Sequence, residues 1–308
     1  MQSNPPYNHY GAYLVKLFGC RVQKISLDAG LTCPNRDGTK GTGGCIYCDD
    51  QGSGSGAFER IPSISRQILE GKSILKKRYK AEKFIAYFQS FSNTYASVET
   101  LRLLYREALS FDDVIGLAVG TRPDCINPEI LDLLAGIQDS HLVWIEYGLQ
   151  SFHPRTLELI NRGHTIEDFV GAVNETRKRK INICVHVILG LPGEGLEECL
   201  ITADRLADLD IQGLKIHSLY INRGSLLETW YQQGRYRPLQ QDEYANWVCR
   251  FLEHCPPHWI IQRLTGDPNP RHLTAPLWTL QKQATLTKIR ARFRETGGFQ
   301  GARWKRGI

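Results

Sequence analysis

Val22-Gln-Lys-Ile-Ser-Leu27 leads through a short link into Cys33-Pro-Asn-Arg-Asp-Gly-Thr-Lys-Gly-Thr-Gly-Gly-Cys45-Ile-Tyr-Cys48. The first run reads as a strand, and the second places three thiols in a glycine-rich loop directly after it, with no obvious fourth. Three thiolates on a four-iron cluster leave one iron with an open position, where a cofactor can bind and be activated. Gly38, Gly41, Gly43 and Gly44 allow the backbone to wrap a bulky inorganic group. Tyr47, just before the last thiol, is placed to lie against a planar base. The competing reading is a structural zinc site with Cys20 or a histidine as fourth ligand. Cys20 precedes the strand and would have to fold back. The other cysteines, Cys125, Cys184, Cys199, Cys249 and Cys255, read as small apolar residues.

Outward from this stretch, short apolar runs alternate with helical patterns as far as Ile221, which is βαβ order. The candidate strands are Val22 to Leu27, Phe84 to Gln89, Val114 to Val119, Leu142 to Gly148, Ile183 to Leu189 and Leu214 to Tyr220. Between them, Asn127-Pro128 supplies an N-cap and a first-turn proline for Glu129 to Leu134. His153-Pro154 opens a helix that stops at Gly163, and Thr165 to Asp168 reads as a capping-box variant before Phe169 to Arg179. No Gly-x-Gly-x-x-Gly follows the first strand, which argues against a dinucleotide fold.

Six such repeats with right-handed crossovers predict an α/β fold, a partial (β/α)6 barrel with its active site at the C-terminal strand ends. The cysteine loop falls at such an end, as do Gln89 to Asn93, Gly120 to Asp124 and Gln150-Ser151. The expected organisation is an N-terminal extension over 1–21, the barrel over 22–238, and a basic, mostly helical C-terminal extension over 239–308. Helices are expected there near Gln241 to His254 and Pro276 to Thr296.

The chain has 308 residues, 42% of them hydrophobic, enough for one large α/β domain with an appendage. Nine cysteines without a secretory signal point to a reducing cytoplasm rather than a disulfide framework. No apolar run is long enough to span a membrane. The net charge of +6 is mild support for an anionic partner. Its distribution says more, because Lys288, Arg290, Arg292, Arg294, Arg303, Lys305 and Arg306 crowd the last stretch. Such a tail reads either as a phosphate-binding surface or as a solvated helix end. Trp278, Phe293, Phe299 and Trp304 lie among these cations, suited to splayed bases or to packing the tail onto the barrel. A second cluster, Lys76, Lys77, Arg78 and Lys80, reads as a wet helix face.

Several segments together resemble the radical S-adenosylmethionine enzymes, and within them the group related to the catalytic subunit of Elongator. The residues are the cysteine loop, Thr121-Arg-Pro-Asp124, Ile145-Glu-Tyr-Gly-Leu-Gln-Ser151, Asn161-Arg-Gly-His-Thr165, Lys215-Ile-His217 and Arg223-Gly-Ser225. Phe18-Gly19, Asp37-Gly38 and Gly52-Ser-Gly54 are closer still to a bacterial group of short, stand-alone proteins of this kind. Some of those are implicated in modifying wobble uridine of tRNA. The resemblance spans about Leu17 to Leu239 and includes no acetyltransferase domain, so acetyl transfer is not expected.

The resemblance implies that Cys33, Cys45 and Cys48 hold a 4Fe-4S cluster whose fourth iron takes the amino and carboxylate groups of S-adenosylmethionine (SAM). Tyr47 would contact adenine. Gln89, Ser90 and Ser92 stand where many relatives have a Gly-Gly-Glu segment for the methionine amino group, a departure from the family pattern. Gln150 and Arg162 match positions that reach the cofactor, His186 stands where some relatives have an aspartate, and Glu146 and Arg122 are second contacts. From the residues alone, Glu146 and Arg122 could equally pair across neighbouring strands. His164, His186 and His217 read as satisfied core histidines. The implied chemistry is a 5′-deoxyadenosyl radical that abstracts hydrogen, with tRNA as substrate and an electron donor such as flavodoxin or ferredoxin. Remodelling of a carboxymethylaminomethyl group at uridine carbon 5 to aminomethyl is the expected reaction. Radical modification of a small metabolite or peptide, and a non-catalytic zinc-containing RNA-binding protein, are the alternatives.

Overall fold

In the computed structural model of the protein, residues 6–48 and 63–305 are described. Gly52 to Gly54, Arg306 and the opening Met1 to Pro5 lie outside them. The strands are β1 (Val22–Leu27), β2 (Lys83–Phe88), β3 (Val114–Thr121), β4 (Leu142–Gln150), β5 (Asn182–Leu189), β6 (Gly213–Ser218), β7 (Ile221–Asn222), β8 (Ile260–Arg263) and β9 (Leu273–Ala275). The helices are α1 (Tyr10–Phe18), α2 (Ile64–Tyr79), α3 (Val98–Ala108), α4 (Pro128–Gln138), α5 (Pro154–Leu159), α6 (Ile166–Lys178), α7 (Leu196–Ala207), α8 (Leu226–Gln232), α9 (Gln241–His254) and α10 (Lys282–Thr296).

One sheet runs β1-β2-β3-β4-β5-β6-β8, every pair parallel, and β7 and β9 form a small antiparallel ribbon. This is the open, partial barrel that six βα repeats predict, with one strand more. β8 joins β6 in the register Gly213↔Ile260, Leu214↔Ile261 and Lys215↔Arg263. Four residues behind Pro256-Pro257, without a following helix of the βαβ kind, carry too short a signal to stand out as a strand.

The inner strands β2 to β6 are largely buried on both faces, as parallel strands are. In β4, Val143, Ile145, Tyr147 and Leu149 join the core that packs against the helices, while Trp144, Glu146, Gly148 and Gln150 face the barrel interior. Local signals fix the flanking helices. Asn127 accepts the Ile130 N–H at 2.9 Å, and Thr165 and Asp168 form a reciprocal capping box.

An apolar plug closes the N-terminal end of the barrel: Tyr10 and Leu14 of α1 meet Val22, Ile85, Ala118, Trp144 and Ile260. The Tyr10 and Trp144 rings meet edge to face at 6.0 Å, worth about 0.5–1.5 kcal/mol beyond area burial. Helix α1 packs on both edge strands, β1 and β8. Asn8 accepts the Ile261 N–H at 2.8 Å; Gln300 in turn accepts the Asn8 N–H at 2.9 Å and donates its own N–H to Pro6 O at 2.8 Å. Cys20 packs against this plug, a full strand away from Cys33.

Much of the basic tail is engaged within the extension. Lys288 pairs with Asp242 at 2.5 Å, Arg303 with Glu253 at 2.8 Å, and Arg292 bonds Asn246 at 3.2 Å. Arg290 and Arg294 have no ion pair among the described residues. Phe293 is buried and Trp278 stacks near Tyr244, whereas Phe299 is exposed. In the second cluster, Lys76 pairs with Asp113 at 3.3 Å.

Candidate active site

The cysteine loop is shaped by its own backbone: Cys33 O accepts from Arg36 N and Asp37 N at 2.9 and 3.2 Å, and Cys45 O from Cys48 N at 2.9 Å. It is then stitched to the turn after α5. Asn35 Nδ2 donates to Asn161 O at 2.5 Å, Asn161 Nδ2 to Gly44 O at 2.8 Å, and Ile46 N to Ile160 O at 3.1 Å. The next residue, Arg162, is buried. Its Nη1 donates toward Cys45 Sγ at 3.6 Å, and its Nε and Nη2 donate to Gly148 O at 3.2 and 2.7 Å. Arg36 Nη1 lies 3.6 Å from Cys48 Sγ. Guanidinium groups thus stand beside two of the three thiols.

Two glycines make this approach possible. A Cβ on Gly148 would stand 2.7 Å from Arg162 Nη2. Gly163 has a φ of +71°, and its Cβ would stand 2.8 Å from Asn35 Oδ1, on a side chain already tied down. Gly163→Ala is therefore expected to destabilise the protein by about 1–3 kcal/mol, read by urea unfolding. An unchanged midpoint would show that the turn can relax.

Arg122 and Glu146 do not pair with one another. Arg122 forks onto Asp124, both contacts at 2.9 Å, and donates from Nη1 to Arg162 O at 2.7 Å. Burial opposes ionisation of Asp124, but Arg122 and Lys40 hold its carboxyl down to about 2. A carboxylate two residues away in a tight turn outcompetes one across the sheet. Glu146, fully buried, instead takes Lys24 at 2.5 Å on Oε1, and Lys215 and His186 (2.8 Å) on Oε2. Burial pushes its carboxyl up, yet these neighbours, Lys215 foremost, hold it well below the usual carboxylate range. Lys215 also sits over the Tyr87 ring at 4.1 Å. Burial and then Lys215 push His186 down to about 4, and burial with Arg162 pushes His164 down to about 3, so both are neutral at pH 7.

Cys33, Cys45, Cys48, Tyr47, Gln89, Ser92, Arg122, Glu146, Gln150, Arg162 and His186 all line one cavity at the C-terminal strand ends. Ser90 is buried but is not among the lining residues. Gln150 enters through a register shift between Gly148 and Gln150, at a φ of +78°. Lys24, Asn35 and Asn161 belong to the site's framework and had no role from the sequence. Lys24 was legible as the single charged residue of β1; Asn35 and Asn161 lie in segments that carry the resemblance, but nothing in their own chemistry marked a role. Among the described residues, no group of three His, Cys, Asp or Glu side chains stands close enough to hold a single metal ion. Three thiols on one cavity wall, two of them beside guanidinium groups, fit a larger anionic cluster. Among the described residues, no helix is long and apolar enough to cross a membrane.

Across nearly its whole length, the chain is 40% identical to protein YtqA of Bacillus subtilis (strain 168), covering 99% of this chain and 98% of that one. It is 35% identical to protein YhcC of Escherichia coli (strain K12), over 98% and 96%. A tRNA uridine(34) acetyltransferase of Dehalococcoides mccartyi (strain CBDB1) is 28% identical over 50% of this chain, which spans 33% of that protein. Among solved structures, archaeal Methanocaldococcus infernus Elp3, with an N-terminal deletion, superposes with a TM-score of 0.66. The superposition is at 15% identity and covers 91% of this chain and 64% of that one, a likeness of fold. Residues 211–295 match the Radical SAM C-terminal domain, and residues 36–206, more than half of the chain, match the Radical SAM superfamily. With the thiols gathered at the mouth of a partial parallel barrel, this chain belongs to the radical SAM superfamily.

Proposed function

We propose that the protein is a radical SAM enzyme that modifies the carbon-5 side chain of wobble uridine in tRNA, remodelling a carboxymethylaminomethyl group to aminomethyl. After hydrogen abstraction from the carboxymethyl carbon, loss of one further electron to the redox partner and addition of water, the N–C bond would break and that unit would leave as glyoxylate. The observation that carries the chemistry is the convergence of Cys33, Cys45 and Cys48 on one cavity with Arg162 against Cys45. Partial similarity to a tRNA uridine(34) acetyltransferase, and Arg290 and Arg294 on the basic extension, without an ion pair among the described residues, support the substrate. Cys33, Cys45 and Cys48 would hold a 4Fe-4S cluster, and Tyr47, Gln89, Ser90, Ser92, Arg122, Glu146, Gln150, Arg162 and His186 would bind or frame SAM beside it. When bound, cluster and SAM supply an electron and a 5′-deoxyadenosyl radical for hydrogen abstraction from carbon.

The chain's own residues do the rest. Arg162 neutralises the thiolate side of the cavity and ties it to β4, while Asn35 and Asn161 keep the loop in register. The Lys24–Glu146–Lys215 layer with His186 makes a charged, hydrogen-bonded floor. Apolar packing of Ile46 with Leu157, Ile160 and Ile188 keeps water from one wall. Residues 1–21, 22–238 and 239–308 would serve as a cap, the catalytic barrel and the tRNA-facing extension.

The test is anaerobic reconstitution with iron and sulfide, then dithionite, SAM and bulk tRNA, with 5′-deoxyadenosine and digested nucleosides read by mass spectrometry. Wild type is expected to form 5′-deoxyadenosine and change the wobble uridine; Cys45→Ala is expected to fall to background on both. Cleavage with unaltered tRNA would redirect the substrate to a small metabolite or peptide. No iron uptake and no cleavage would overturn the reading.

A further inference from the structure

A second cavity opens from the side, between the edge strands β1 and β8, and meets the cysteine cavity at Tyr87. At about 550 Å³ it has room for a nucleotide-sized molecule. Its walls carry a surplus of positive charge. Lys24 and Lys215 share the single carboxylate of Glu146, and Arg263, half-buried on β8, has no ion pair or hydrogen bond among the described residues. Burial, with Lys24 and Arg263 nearby, pushes Lys215 down to about 7 against the pull of Glu146. Counting Lys215 as neutral still leaves two cations to one carboxylate. The acidic side chain lining the cavity, Asp267, is ion-paired with Lys282 at 3.3 Å.

A separate observation concerns hydrogen bonds. Gln262 Nε2 and Thr265 Oγ1, which flank Arg263 and line the same cavity, are buried with no hydrogen-bond partner, and Thr265 is only 3% exposed. Donors left unmatched in a buried, cation-rich pocket are expensive unless something supplies the acceptor. The missing complement is an anionic oxygen group, which a guanidinium binds best in a two-pronged contact.

We propose that the cavity between β1 and β8 is an oxyanion-binding subsite, in which Arg263, Gln262 and Thr265 hold a carboxylate or phosphate of a ligand. Binding there does not depend on what reaction the cysteine cavity supports. The reconstituted protein, titrated by calorimetry with inorganic phosphate and separately with malonate, is expected to bind at least one of them saturably, one per chain. Phosphate alone would indicate a phosphate-bearing ligand, malonate alone a carboxylate. Arg263→Gln is expected to weaken that binding by about tenfold or more, and Thr265→Val severalfold. Cys45→Ala is expected to leave it unchanged. If Arg263→Gln fails to fold by circular dichroism, Thr265→Val decides. Failure of both anions to saturate, full affinity in the folded variants, or loss of binding in Cys45→Ala would overturn the proposal.

Discussion

Glu146→Gln is expected to destabilise the protein by about 3–5 kcal/mol, the effect of removing one partner from a buried charge cluster. An amide keeps the size of the side chain but not its charge. Lys215, buried against the Tyr87 ring, and Lys24, largely buried, would then face one another with no anion between them. The urea midpoint should fall accordingly, with a slope that stays close to wild type if the native state keeps its surface. A second variant separates charge from shape. Glu146→Leu combined with Lys215→Met removes the central pair together, and buried pairs replaced by apolar groups are often neutral. The double variant is expected to recover most of the loss. Recovery would show that the layer is a matched set rather than a source of net stability. A double variant no better than Glu146→Gln would mean that Lys24, which keeps Gln262 but loses its anion, sets the cost rather than the Glu146–Lys215 pair.

Arg162→Met is expected to have the next largest effect, about 3 kcal/mol on stability together with loss of iron uptake. The guanidinium makes a fork onto Gly148 O and reaches Cys45 Sγ from the same group. Methionine fills the space but gives no donor. The Gly148 carbonyl would lose both guanidinium donors, keeping His164 Nε2 at 3.2 Å, and Cys45 Sγ would lose its guanidinium neighbour. Arg162→Lys is expected to recover little, because a single ammonium cannot reproduce a planar fork. The readout is iron and sulfide per chain after anaerobic reconstitution, beside the urea midpoint. Wild-type iron loading in Arg162→Met would remove this residue from the site's assembly.

Much of the barrel was legible because parallel strands are apolar on both faces, and their β-branched runs stand out between capped helices. Asn127 and Thr165 marked helix starts by side-chain chemistry alone. β8 escaped because four residues carry no periodicity, and only the position of β6 gives them a partner. The cysteine cavity was legible for the same local reason as the caps: three thiols on one short loop cannot be far apart. The partners of Glu146 were not. Lys24, Glu146 and Lys215 are each the one lysine or carboxylate of their strand, but β1, β4 and β6 are not neighbours in the sheet. They meet only because the sheet curls, and curvature is written in no single segment. Pairing of Arg122 with Glu146 across neighbouring strands was only the alternative to a cofactor contact, and the nearer carboxylate, Asp124, stood two residues on.

The hold of Gln300 on Pro6 and Asn8 has a consequence for the order of assembly. Those contacts join segments nearly three hundred positions apart. On a ribosome, the plug helix α1 emerges before the strand that its leading residues lie against and the glutamine that fixes them there, both of which follow β1 to β6. Until then the mouth between β1 and β8 has no latch. Closing so long a loop is entropically demanding, and non-local closures of this kind form late and slowly. The nascent barrel would wait with its side ajar until Gln300 closes on Pro6 and Asn8.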